Sequence, residues 1–133
     1  MTATIIYEGH LHCKCTHLDS GTEIHTDAPK DNQGNGEAFS PTDLVATALA
    51  TCIMTTMGLK CRQMGISIDG TKADVTKTMA SDPRRIARID VILQMPANNY
   101  SDKDKQILQH IAEHCPVTKS LHPDLEQAIV FNW

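Results

Sequence analysis

The stretch from Ala38 to Gly65 constrains the fold more than any other part of this chain. It has no charged residue between Leu44 and Leu59, and most residues there are apolar or small. A helix with no polar face must be buried on most sides. The charge-free run is shorter than a membrane-spanning helix requires. We therefore expect a long central helix in the core, wrapped by a sheet and, as one possibility, by a partner subunit.

Both ends of this helix carry clear signals. Ser40 suits the N-cap, Pro41 suits the first helical position, and Asp43 stands where the acid of a capping box belongs. Gly65 is suited to the left-handed conformation that ends many helices. The sequence therefore predicts a helix that begins directly after Ser40 and stops at Gly65.

Composition excludes several classes of protein. A chain of 133 residues can form one domain, residues 1–133, with a core of its own. A net charge of −4 and an aromatic content of 4% argue against nucleic-acid and membrane partners. The first residues lack the features of a secretory signal, and five cysteines is an odd number. We therefore expect a cytoplasmic protein with free thiols.

The remaining elements follow from periodicity and turn residues. Strands are predicted over residues 4–16, 22–26, 66–79, 85–95 and 126–133, with helices over 101–114 and directly after Cys115-Pro116. A polar loop over residues 27–37 precedes the central helix. Because strands and helices do not alternate singly, the fold class is α+β, a mainly antiparallel sheet packed on the buried helix.

Two cysteines stand out for chemistry. A free cysteine within an apolar helix, as at Cys52, is usually a small core residue. Cys115 precedes Pro116 and therefore falls at the N-cap of a short helix, where backbone N–H groups favour a thiolate. Local chemistry alone thus makes Cys115 the more acidic thiol.

Two motifs, whose cysteines lie 63 residues apart, carry a resemblance to a known family. They are S-P-T-D-L-V-A-T-A-L-A-T-C, from Ser40 to Cys52, and C-P-V-T-K-S-L, from Cys115 to Leu121. With the preceding H-T-D-A-P loop and the order of elements, nearly the whole chain resembles the OsmC/Ohr family of thiol-dependent peroxidases. The resemblance implies an intertwined homodimer in which each subunit has a long central helix and the active sites lie at the interface.

The resemblance also implies the roles of individual residues. Cys52 corresponds to the peroxidatic thiol, which a hydroperoxide oxidises to a sulfenic acid, and Cys115 to the resolving thiol. The resulting disulfide is reopened by a dithiol reductant. An apolar funnel for organic hydroperoxides is a family feature, and Met54 or Met57 is expected to line it. No cofactor beyond the thiols is expected.

The sequence departs from the family at two positions. Family peroxidases use an arginine from the N-terminal half, whereas this chain has no arginine before Arg62. Lys14 is the nearest cation by position and is our candidate to activate Cys52. A family glutamate is replaced by Thr42, so Asp43 and the loop acid Glu37 are the candidate acids. The main alternative is a non-catalytic protein on the same fold that binds a small apolar ligand or senses redox state.

The run from His10 to His17, H-L-H-C-K-C-T-H, contains the residue types that bind zinc. On one continuous strand its side chains alternate between two faces, and no C-x-x-C pair is present. We therefore expect no metal site, and a metal protein built on the first strand is the weakest alternative. Cys61 is expected to face away from Cys52 and to serve packing.

Overall fold

The computed structural model describes residues 1–133, in which strands and α-helices follow the order βββ-α-ββ-α-α-β. The elements are β1 (Ala3–Gly9), β2 (His12–His17), β3 (Glu23–Asp27), α1 (Pro41–Met64), β4 (Lys72–Ala80), β5 (Arg85–Gln94), α2 (Asp102–Ala112), α3 (Pro116–Ser120) and β6 (Glu126–Asn132). The chain divides into two compact units, Met1–Val45 and Ala46–Trp133. The α+β class is confirmed, with the strands in two three-stranded sheets.

The first unit is an antiparallel sheet in the order β1-β2-β3. The single strand predicted over residues 4–16 is wrong, because the chain reverses at Gly9, His10 and Leu11. All three residues have positive φ, at 88°, 51° and 61°. That conformation gives the tight turn of a hairpin, but only glycine adopts it without strain, so two non-glycine residues concealed the turn.

The ends of α1 agree with the prediction. Ser40 Oγ accepts the Asp43 backbone N–H at 3.0 Å, and Asp43 Oδ2 accepts the Ser40 N–H at 2.9 Å. At the other end Gly65 has a φ of 69°, and the Ile66 N–H donates to the Cys61 carbonyl at 3.1 Å. This is the hydrogen bond of a Schellman motif. Local capping therefore defines the length of the helix.

One side of α1 is buried within the chain and the other is not. The buried residues recur at helical spacing: Ala46, Leu49, Ala50, Ile53, Met57 and Cys61. Thr51 and Thr55 are exposed on the other side, and Leu59 retains 59% of its accessible surface. The nearly complete burial expected from the composition is thus reached on one side only in the single chain.

By length and composition alone, α1 could also cross a membrane, and 33% of its most apolar window is buried inside the chain. Core helices of globular domains share this length and composition. In this chain α1 acts as such a helix, since it supplies the fully buried Leu49, Ile53 and Met57.

The second unit contains the core and a sheet in the order β4-β5-β6. β4 and β5 are antiparallel, whereas β5 and β6 are parallel. Ile89, Val91 and Leu93 alternate along β5 and are fully buried, as their shared parity predicted. The strand predicted over residues 66–79 begins only at Lys72, because the chain turns at Asp69-Gly70, where Gly70 has a φ of 88° and the Thr71 N–H donates to the Ile68 carbonyl at 3.0 Å.

Two short helices complete the second unit, and both begin as predicted. Ser101 and Asp104 form a reciprocal capping box at the start of α2. Leu108 and Ala112 of α2 are fully buried in the core. Cys115 is the N-cap of α3, and Pro116 occupies the first turn. The capping at α3 fixes the Cys115 side chain next to the core.

Candidate functional site

Cys115 occupies a polar niche inside an apolar core. Its side chain is fully buried, with 0% of its surface exposed. The Sγ atom accepts the backbone N–H of Thr118 at 3.4 Å and lies 3.2 Å from Thr118 Oγ1. Both contacts stabilise a thiolate more than a neutral thiol.

These contacts and burial together set the pKa of the Cys115 thiol. Burial, the largest single influence, acts to raise the pKa of the thiol. Hydrogen bonds from the Thr118 side chain and backbone, from the Cys52 thiol and from the Val117 backbone together outweigh burial, so the pKa of Cys115 is lowered from its ordinary value. This direction agrees with the acidity expected from the N-cap position.

Cys52 lies in the middle of α1 and is only half-buried. It packs against the core cluster that contains Cys115, and its thiol is near enough to lower the pKa of Cys115. Thr56 Oγ1 lies 4.0 Å from Cys52 Sγ, but it already donates to the Cys52 carbonyl at 2.7 Å. The structure therefore brings together the two cysteines that the family resemblance pairs.

Of the other three cysteines, one belongs to the same core cluster as Cys115 and two lie in the first unit. Cys61 is 2% exposed, and burial, followed by the charges of Asp104 and Asp69, raises the pKa of its thiol. That environment suits the packing role expected for it. Cys13 and Cys15 are half-buried on β2 in the first unit. All five thiols are free.

Lys14, the candidate activating cation, is paired with a carboxylate on the neighbouring strand. Its Nζ lies 2.8 Å from Glu23 Oε1. The hydrogen bond to Glu23 and the attraction between the two charges raise the pKa of Lys14, so its ammonium stays charged. That charge is partly compensated by Glu23.

The remaining candidate site residues have evident structural contacts. Asp43 caps α1, and the backbone N–H of Glu37 donates to Asp27 Oδ2 at 2.9 Å. Met57 is fully buried in the core, whereas Met54 is half-buried. Of the two methionines, only Met54 keeps substantial surface with which to contact a ligand.

Thr118 is the residue that the sequence analysis missed. It is the only side chain besides Cys52 among the hydrogen-bond partners that lower the pKa of Cys115. A signal was present, because a residue three positions after an N-cap is where a capping partner is found. The motif C-P-V-T contains that spacing.

Sequence comparison assigns the chain to a family. An α+β fold with one cysteine on a long capped helix and a second at a Cys-Pro helix start is of the OsmC type. A family model described as OsmC-like protein matches residues 34–128. The chain therefore belongs to the OsmC-like family.

Solved structures agree with this assignment. A protein from Psychrobacter arcticus 273-4, provisionally assigned to osmotic stress induction and detoxification response, is 48% identical with a TM-score of 0.95, and the match covers 99% of this chain and 96% of that one. The Legionella pneumophila organic hydroperoxide resistance protein OsmC is 14% identical with a TM-score of 0.78, covering 100% and 98%. Among curated proteins, none matches the sequence significantly.

A third structure has a ligand. It is a Vibrio cholerae protein, provisionally assigned as an organic hydroperoxide resistance protein, with captopril bound in one of its active sites. It is 15% identical with a TM-score of 0.73, covering 99% of this chain and 92% of that one. At this identity, as for the Legionella protein, the similarity establishes a shared fold.

Replacing Thr118 by valine removes the hydroxyl near Cys115 Sγ and preserves the volume of the side chain. We expect the Cys115 titration midpoint to move to higher pH, because the thiolate loses one hydrogen bond while burial continues to oppose its charge. The Cβ resonances of ¹³C-labelled cysteine, followed by NMR against pH, measure this shift. Ser120→Ala is the matched control, since Ser120 Oγ donates to the Pro116 carbonyl instead. Equal midpoints in the parent and Thr118→Val would contradict this account of thiol activation.

Proposed function

We propose that this protein reduces organic hydroperoxides through a peroxidatic Cys52 and a resolving Cys115. The observation that carries the proposal is the proximity of the two thiols: Cys52 packs against the core cluster that contains Cys115, and its thiol helps to lower the pKa of Cys115. A sulfenic acid formed on either sulfur would have the other thiol in position to condense with it. Such a neighbour is typical of cysteines that are oxidised reversibly.

Exposure and acidity support different roles for the two thiols. A peroxide must reach the attacking sulfur, and Cys52 is half-buried whereas Cys115 has no exposed surface. The resolving thiol needs only to reach the first sulfur, and its lowered pKa makes it a ready nucleophile. Cys52 is therefore the thiol that meets the substrate, and Cys115 resolves.

The proposed reaction has three balanced steps. The Cys52 thiolate attacks the terminal peroxide oxygen, the O–O bond breaks, and the alkoxide takes a proton to leave as an alcohol. The Cys115 thiolate then attacks the sulfenic sulfur, which forms the disulfide and releases water after protonation of hydroxide. An external dithiol finally reduces the disulfide and is itself oxidised.

Apolar surroundings favour an organic hydroperoxide over hydrogen peroxide. The core cluster next to Cys52 consists mostly of aliphatic side chains, and the half-buried Met54 packs against it. An alkyl or aryl group gains free energy on entering such a surface, whereas hydrogen peroxide has no apolar part to bury. The cytoplasm, where dithiols are kept reduced, is the compartment we propose for this reaction.

Lys14 is our candidate to stabilise the Cys52 thiolate. A peroxidatic cysteine reacts as its thiolate, and a cation near the attacking sulfur stabilises that form. Lys14 carries a stable positive charge, although its ion pair with Glu23 competes with an interaction between Lys14 and a thiolate. Lysine lacks the planar fork of arginine, and we therefore expect turnover slower than that of relatives with an arginine.

We also propose that the protein is a homodimer. Ile5, Ile6, Tyr7 and Ile24 in the first unit are 47% to 63% exposed. Because Ile5 and Ile6 are adjacent on β1, they point to opposite faces, so both faces of this sheet carry exposed apolar side chains. A three-stranded sheet needs an apolar face packed against another element to be stable on its own.

Sedimentation velocity tests this assembly at micromolar concentration. We expect a single species with twice the mass of the chain, because a second copy would cover the exposed apolar sheet and the exposed side of α1. A stable, folded monomer at that concentration would contradict the proposed dimer.

The alternative is a protein on the same fold that binds a small apolar molecule without turning it over. The absence of any arginine before Arg62 and the pairing of Lys14 with Glu23 favour it. The two proposals differ in turnover, because a binding protein would take up cumene hydroperoxide or its analogues without consuming a reductant.

A coupled peroxidase assay with dithiothreitol and cumene hydroperoxide separates the two thiols. We expect Cys52→Ser to abolish turnover, because no sulfur meets the peroxide. Cys115→Ser should slow turnover, because dithiothreitol must then reduce the Cys52 sulfenic acid directly; after peroxide is added without dithiothreitol, the same variant should hold a Cys52 sulfenic acid that dimedone labels. Hydrogen peroxide is expected to be the poorer substrate of the parent.

Cys61→Ser is the matched control, and it should keep parental turnover. Lys14→Ala in the same assay should slow the oxidation of Cys52 without preventing it, and full activity in that variant would remove Lys14 from the mechanism. Turnover that survives in Cys52→Ser, or an inactive parent that still binds the peroxide, would contradict the peroxidase proposal.

A further inference from the structure

A buried carboxylate holds one ring nitrogen of His12 in the first unit. His12 and Asp27 are direct partners in the β2–β3 pairing. His12 Nδ1 lies 2.5 Å from Asp27 Oδ1, and the Asp27 side chain is only 5% exposed. The other oxygen, Asp27 Oδ2, accepts the Glu37 backbone N–H at 2.9 Å. Both oxygens of this carboxylate are therefore used in fixing its position and that of the imidazole.

This arrangement turns the second nitrogen of His12 toward two further side chains. With Nδ1–H donated to Asp27, a neutral imidazole presents the lone pair of Nε2 on the opposite edge of the ring. His12 Nε2 lies 3.0 Å from His25 Nδ1 and 3.5 Å from Glu8 Oε2. One donor atom from each of the three residues lies within 4.8 Å of the others.

The strand register produces the cluster. His25 is on β3, diagonal to His12, because it pairs with Lys14. Glu8 is the extra residue of a β-bulge, since the pairing of β1 with β2 shifts between Tyr7 and Gly9. A bulge redirects a side chain that regular alternation would place elsewhere. Side chains from three adjacent strands thus meet at one point.

We propose that Glu8, His12 and His25 bind one divalent metal ion of the Zn²⁺ class, with Asp27 orienting His12. Two atoms bound to zinc at about 2.1 Å in tetrahedral geometry lie roughly 3.4 Å apart, close to the spacings of His12 Nε2 from its two neighbours. Two imidazoles and one carboxylate favour Zn²⁺ over Mg²⁺ or Ca²⁺, which prefer oxygen ligands. In metal sites, a carboxylate that does not itself bind the metal commonly accepts the other N–H of a metal-bound imidazole and so orients the ring.

Two of the three proposed ligands, Glu8 and His12, line an open cavity. A cavity of about 280 Å³ adjoins the cluster and is lined by Glu8, His12, Asp27 and Glu37 among others. Glu8 is 43% exposed at its side chain, so ions can enter from solvent. Three protein ligands and one free position describe a site that would keep a water or a small ligand on the metal.

Calorimetric titration of Zn²⁺ into the full-length, untagged and reduced chain tests the site. We expect one ion per chain at this cluster. Loss of an outer-shell partner typically lowers metal affinity ~10–100-fold, so loss of a direct ligand in Glu8→Gln or His25→Gln should cost at least ~10-fold. Both residues are exposed, which makes the variants compatible with the fold, and circular dichroism checks this.

His114→Gln is the matched control. It breaks the other close histidine pair of the chain, exposed His110 on α2 and exposed His114 just beyond the end of that helix, whose ring centroids are 4.2 Å apart. Its affinity should equal that of the parent. Co²⁺ serves as a spectroscopic probe, because thiolate ligands would add intense charge-transfer bands that histidine and glutamate ligands lack.

The expected result is parental affinity in His114→Gln, weakened binding in Glu8→Gln and His25→Gln, and a Co²⁺ spectrum without thiolate bands. Undiminished binding in both cluster variants would overturn the proposal. Weaker Zn²⁺ binding in His114→Gln alone, or strong thiolate bands, would place the metal at other residues and would also overturn the proposal.

Discussion

Burial of one side of α1 is the constraint on which the second unit depends. Fully buried residues from α1, β5 and α2 meet in one cluster: Leu49, Ile53, Met57, Ile89, Val91, Leu93 and Leu108. Each large aliphatic side chain buried in this way contributes on the order of 1.5–3 kcal/mol. Cys52 is carried on the same helix, and Cys115 lies inside the same cluster. The separation of the two thiols is therefore set by core packing and not by a flexible loop.

The niche of Cys115 shows how an apolar core can hold an acidic thiol. Burial alone makes a thiolate costly, and Cys61, which is also buried in this core, has its pKa raised. Cys115 differs because it caps α3 and receives hydrogen bonds at its sulfur. The pKa values of two cysteines in one core are therefore shifted in opposite directions, because the hydrogen bonding at the two sulfurs differs.

Features determined by neighbouring residues could be predicted from the sequence. The capping boxes at Ser40 and Ser101 and the N-cap at Cys115 were all predictable, because the partners lie within four residues. The pairing of Cys52 with Cys115, in contrast, came only from family resemblance. No local rule relates two residues on different elements.

The features of the first unit that the sequence did not predict depend on how its three strands turn and pair. The hairpin turn at His10 and Leu11 depends on positive φ at residues that rarely adopt it. The bulge at Glu8 and the diagonal position of His25 exist only once three strands are aligned. A histidine run that appears split between two faces of one strand thus becomes part of a three-strand cluster.

The most direct test of the two-thiol account is a titration of the reduced protein with less than one equivalent of cumene hydroperoxide. Thiol counting and peptide mass spectrometry follow each addition. The account predicts two thiols lost for each peroxide consumed and a single cross-linked pair, Cys52 with Cys115, while Cys13, Cys15 and Cys61 remain alkylatable. Loss of one thiol per peroxide with a stable oxygen adduct, or a disulfide that omits Cys52 or Cys115, would contradict it.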